Sequence, residues 1–189
     1  MPSWRQTSRL LAGLLLAVLA SPARPSGPVR ANELTLSGLR PGRDTRAMAE
    51  QRFPGGTADG SENSLVWHDD CRYRELRMEF KEKGILDSIT ISEAPGSKPA
   101  PDCLQDPRMA RAETWRTGRG LALDETHQRV LAIYGAPESH GPSTREGQEL
   151  EFMFYSFDWA GPEVPQVMEV LCARDTGRVV EITLAYPSL

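Results

Sequence analysis

The chain has 189 residues, with 22 Lys+Arg against 26 Asp+Glu and a formal charge of −4. That length suits one medium domain or two small ones and excludes a large multidomain enzyme. The acid excess argues against a nucleic-acid partner, which calls for a basic face. The hydrophobic share of 39% is low for a globular chain but too high for a disordered one.

In chain order, residues 1–20 read as an export signal. Arg5 and Arg9 make a positive start, Leu10 to Ala20 is an apolar run, and Val18-Leu19-Ala20 sets short residues where a signal peptidase inspects the chain. Cleavage is expected after Ala20, or as late as Ala31. The apolar run is shorter than the ~20 residues a membrane helix needs. Pro22, Pro25 and Pro28 follow at once, so a buried helix is a poor reading. The expected location is therefore periplasmic or secreted, with no stable membrane span. The three cysteines, Cys71, Cys103 and Cys172, permit one bridge, and their spacing resembles no zinc site.

The remainder reads as α+β: two tandem repeats at 33–96 and 113–189, joined by a linker at 97–112, each a helix packed on a small antiparallel sheet. A shift of 80 places Asp44 on Asp124, Phe53 on Ile133 and Gly55 on Gly135. Each repeat opens with a short strand, Leu34 to Leu39 or Thr114 to Gly118. A helix follows, with Asp44 or Asp124 as its N-cap. In the second helix His127, Val130, Leu131 and Tyr134 share one face, and Gly135 with Pro137 ends it. Strands are expected near 64–69, 72–81 and 85–92, then near 149–159, 167–173 and 178–186. Leu76, Met78 and Phe80 alternate with Arg77 and Glu79, the period of a half-buried strand. Lys83-Gly84 and Thr176-Gly177 fall where hairpins turn. A hairpin over the last two strands of the first repeat brings Cys71 near the segment carrying Cys103. The expected bridge is therefore Cys71–Cys103, with Cys172 free and buried.

The run Gly120-Leu121-Ala122-Leu123-Asp124 through Tyr134-Gly135-Ala136-Pro137 resembles the β-lactamase-inhibitor-protein-like fold, which includes the SmpA/OmlA/BamE-type lipoproteins of outer-membrane barrel assembly. The first repeat matches less well, with Gly55-Gly56-Thr57 in place of Gly-x-Pro. The resemblance implies a tandem module presenting a concave sheet face to a protein. No cysteine lies near the signal, which departs from the lipoprotein members.

No nucleophile elbow, phosphate loop or dinucleotide fingerprint is present. His68-Asp69-Asp70-Cys71 is the one dense cluster of reactive types. Adjacent strand residues point to opposite faces, so His68 and Asp69 are poorly placed to act together. No cofactor or metal is expected. In the second repeat Leu150, Phe152 and Phe154 are assigned inward with Met168, Val170 and Cys172. Met153, Tyr155, Phe157 and Trp159, with Val167 and Leu171, then form an opposite face that is apolar where water would favour polar residues. An exposed aromatic patch marks a partner surface. The alternative is that the other repeat, its helix or the linker covers that face. With Tyr73 and Arg77 of the first repeat these residues are the expected binding surface for a protein partner in the cell envelope. The function expected is a non-enzymatic binding module, inhibitor-like or assembly-factor-like; the alternative is a small hydrolase or metal-dependent enzyme using His68 and Asp69.

Overall fold

The computed structural model describes residues 32–94, 114–157 and 166–186. The expected signal and linker lie outside these residues. Helix α1 spans Arg46–Arg52 and is followed by strands β1 (Ser64–Asp69), β2 (Arg74–Phe80) and β3 (Leu86–Glu93). Helix α2 spans His127–Tyr134 and is followed by β4 (Ser139–Arg145), β5 (Gln148–Ser156), β6 (Val167–Ala173) and β7 (Val179–Ala185). All seven strands form one sheet in the order β1-β2-β3-β7-β6-β5-β4. Every neighbouring pair is antiparallel.

This sheet overturns the reading of two tandem units and, with it, the resemblance to the β-lactamase-inhibitor and SmpA/OmlA/BamE-like fold. Ser88–Ser92 of β3 pair with Ala185–Glu181 of β7, so the two meanders share a ladder. They also share a core. Ala49 and Phe53 from the α1 region and Val130 and Tyr134 from α2 belong to one buried cluster with Ile89, Ile91, Ile182 and Leu184 of the central strands. Both helices therefore lie over the same face of the sheet.

Both expected helices are present, but their N-caps differ from the expectation. Thr45 Oγ1 accepts from Met48 N–H at 3.4 Å, and Thr126 Oγ1 from Arg129 N–H at 3.2 Å. Asp44 instead accepts from Arg40 N–H at 2.8 Å, closing the preceding turn. Asp124 adopts φ +67° and meets Arg74 Nη2 at 2.5 Å. On α2 the buried residues are Val130 and Tyr134, with Ile133 packed against the core and Leu131 in solvent. Gly135 closes α2 at φ +77° and ψ −162°, backbone that a Cβ resists, and its N–H bonds Leu131 O.

Two further expectations fail. The opening strands near 34–39 and 114–118 are loops joined by isolated bridges, Leu36 to Leu39, Leu36 to Thr117 and Arg116 to Ala122. Strand β4 was not anticipated. Its sequence, SHGPSTR, has no apolar period, and it forms as an edge strand by pairing with β5.

The two opening loops are held together by a buried carboxylate. Glu33 is 2% exposed. Its Oε1 accepts from the backbone N–H groups of Leu34, Thr35 and Gly118, and its Oε2 from Arg119 N–H. The Tyr134 hydroxyl donates to Oε2 at 2.7 Å and lies 2.7 Å from Thr117 Oγ1. Burial and the Glu33 charge push the Tyr134 phenol well above its ordinary value, so it stays a donor. A Cβ on Gly118 would sit 2.6 Å from Thr35 Oγ1 and 2.7 Å from Glu33 Oε1, so a larger residue would push the carboxylate off its donors. Removing the carboxylate leaves several buried donors unpaired. Glu33→Ala should cost roughly 3 kcal/mol in urea denaturation, and Tyr134→Phe about 1 kcal/mol. A Glu33→Ala loss below about 1 kcal/mol would show that the loops do not depend on it.

Candidate functional site

His68 and Asp69, the residues of the hydrolase alternative, lie on opposite sides of the sheet, as strand alternation implies. His68 is exposed, with Nδ1 3.5 Å from Glu75 Oε2. Asp69 is buried, and its Oδ1 accepts from Cys71 and Arg72 N–H at 3.1 Å each, capping the turn after β1. Among the described residues no group of three or more His, Cys, Asp or Glu side chains could hold a metal ion.

The aromatic face expected for binding is inside the molecule. Met153, Tyr155 and Phe157 are each 0% exposed and belong to the core beneath the helices. Tyr134 of α2 packs 5.7 Å from Tyr155 and 6.0 Å from Phe157, centroid to centroid. The assignment of β5 was inverted. Met153 pairs with Val170 and Tyr155 with Met168, and directly paired residues share a face. Leu150, Phe152 and Phe154 therefore point to the opposite side. Trp159 lies outside the described residues. Tyr73, at φ +52°, is half-buried in the turn before β2. Arg77 is on the side of the sheet away from the helices.

That second side carries the candidate site. The register lays two rows across it. One runs His68, Glu75, Ser92, Glu181, Leu171, Phe152. The other runs Val66, Arg77, Thr90, Thr183, Glu169, Phe154. Thr90 and Thr183 hydroxyls meet at 2.9 Å across the central seam. The β1–β3 part is polar, whereas Leu150, Leu171, Ala173 and Val180 form a small apolar cluster with Phe152 packed against it. Phe152 and Phe154 stack with centroids 6.5 Å apart.

Between these parts lies a groove of about 670 Å³. Its walls are set by two guanidinium groups. Arg77 bonds Glu75 Oε1 through Nε at 3.1 Å and Nη2 at 2.9 Å, and pairs with Asp59. Burial opposes its charge, but hydrogen bonds to Asp59 and Glu75 outweigh that and hold Arg77 more firmly protonated than usual. Arg145, on edge strand β4, pairs with Glu181 on β7. Strands β5 and β6 lie between them. Neighbouring strands are ~4.8 Å apart, so this contact requires the sheet to curl toward the open side. Of the open-face residues on β5 to β7, the sequence reading places only Val167 and Leu171 on the expected partner face.

Cys71 is disulfide-bonded and Cys172 is a free, buried thiol. Cys103, its expected partner, lies outside the described residues, so that pairing is not described.

No protein-family model matches the sequence, and no curated protein matches it. Among solved structures the chain is similar to YjgB of Bacillus subtilis, a DUF4309 family protein. The identity is 10%, the match covers 82% of this chain and 88% of that one, and the TM-score is 0.47.

Cys172 offers a check on the register of β6. Burial, with a smaller contribution from Glu151, pushes its thiol up to about 11. At pH 8 roughly 0.1% would be thiolate. Iodoacetamide should therefore leave Cys172 unmodified in the native protein and label it within minutes in urea, as read by peptide mass mapping. Native labelling at the rate of a free thiol would place β6 in another register.

Proposed function

We propose that this chain is an exported, non-enzymatic binding protein that engages a protein partner of the cell envelope through the open face of its sheet. The observation that carries the reading is the side of the sheet that neither helix covers. Among the described residues both helices pack on one side, and the other presents the Phe152–Phe154 stack beside a groove. Stacked aromatic rings on an open surface are favoured anchors for a partner, because they bury large area at small entropic cost. The N-terminal sequence supports export to the periplasm or beyond. Among the described residues no helix is long and apolar enough to cross a membrane. The separation of His68 from Asp69 leaves the hydrolase alternative without a paired base and nucleophile.

Crosslinked pull-down from envelope extract tests this. Phe152→Thr with Phe154→Thr keeps strand-favouring residues while removing both rings. The double variant should lose at least tenfold of the partner recovered by the wild type, with an unchanged far-ultraviolet spectrum. Identical partner profiles would remove the open face from the function.

A further inference from the structure

We infer that the open face receives a basic segment of its partner, an arginine or lysine beside an apolar residue, and that Arg145 occupies the cation's place in the free protein. The inference rests on the docking role proposed above and names the chemistry of what docks. Carboxylates dominate the face. Glu75 and Glu79 lie on β2, Glu169 on β6, Glu181 on β7 and Glu146 in the β4–β5 turn. Two guanidinium groups oppose them, and both are already engaged, Arg77 with Glu75 and Asp59, Arg145 with Glu181. Glu169 is exposed between Thr183 and Phe154. A second copy of this chain would bring the same negative face against this one, so self-association is the less complementary occupant.

Glu181 is the anchor. It is 9% exposed, set among Leu171, Val180 and Leu150, and its cation arrives from the far edge of the sheet. A carboxylate so shielded requires a counter-charge, because unpaired burial is costly. Arg145 meets that need while 56% of its own side chain stays exposed, so it can leave without breaking the core. The groove beside it can take the aliphatic stem of an incoming cation along Leu171, and the Phe152 ring lies one strand further. Charge exchange at Glu181 then exposes the Arg145 head to water as the partner's cation takes its place.

The probe is a nine-residue peptide alternating Arg and Phe between terminal glycines, compared with its Gln-for-Arg and Glu-for-Arg counterparts by fluorescence anisotropy on the full exported chain. The Arg peptide should bind at least tenfold tighter than the Gln peptide, with the difference shrinking as salt rises. Arg145→Ala should tighten it about fivefold, the weight of a partly exposed ion pair. Glu181→Gln should weaken it about tenfold, and the exposed Glu169→Gln about threefold, which keeps the test valid if Glu181→Gln perturbs folding. Arg and Gln peptides binding alike, or Arg145→Ala weakening the Arg peptide, would overturn the inference. If the envelope partner still depended on Phe152 and Phe154 in that case, the docking face would stand and only its cation preference would fall. Indifference of that partner to both phenylalanines would overturn the docking role as well.

Discussion

The pairing of β3 with β7 is the contact on which the rest of the molecule depends. Each meander alone would end in an unpaired edge, a row of N–H and C=O groups left to water or to another chain. Joining Ser88–Ser92 to Ala185–Glu181 removes both edges at once and places the two strands at the middle of the sheet. The helices are attached to the same strands. Thr45 bridges to Ile85, just ahead of β3, and Thr126 to Arg178, just ahead of β7. Leu86 N–H bonds Asp44 O, and Val179 N–H bonds Glu125 O. Each helix thus begins where a central strand begins, and the central pairing brings both over one face.

One covered face forces a division of labour along every strand. Residues at one parity enter a common core, and those at the other remain open to whatever lies outside. The loops before the helices complete the covered side, held by Glu33 across a sequence separation of 101 residues to Tyr134. A carboxylate receiving four backbone N–H groups and a phenol balances its own desolvation with charge-assisted bonds. A side chain at Gly118 would displace that carboxylate, so the polar contact and the glycine depend on each other.

Much of the element list was legible from the residues alone. Ser64–Asp69 and Val167–Ala173 stand where strands are expected, the alternation of Leu76, Met78 and Phe80 marks β2, and both helices are present, α2 ending on its expected glycine, although Thr45 and Thr126 rather than the aspartates cap them. Assembly was less legible. Offsets between two stretches record similar local grammar and do not say whether their sheets stay apart or join, because pairing is decided by edges and shared burial. Strand β5 shows a second limit. Leu150, Phe152 and Phe154 occupy one parity and Met153, Tyr155 and Phe157 the other, and since both parities are apolar, period alone cannot assign a side. Register with Met168 and Val170 assigns it. Strand β4, carrying Gly141 and Pro142, has no signal of its own. Arg145 and Glu181 are 36 residues apart, and nothing local announces their contact.

The candidate site belongs to neither meander. Glu75, Arg77, Thr90 and Ser92 come from β2 and β3, whereas Arg145, Leu171, Glu181 and Thr183 come from the second half of the chain. The Thr90–Thr183 contact marks the seam itself. Strands β2 and β3 line the groove with polar side chains, whereas the second meander contributes both polar groups, Glu181 and Thr183 among them, and the apolar Leu150, Leu171 and Val180. Glu181, Leu171 and the Phe152 ring lie on neighbouring strands of the second meander, and the pairing that gives the protein a single core sets the charged side chains of β2 and β3 beside them, which completes the surface proposed above for binding.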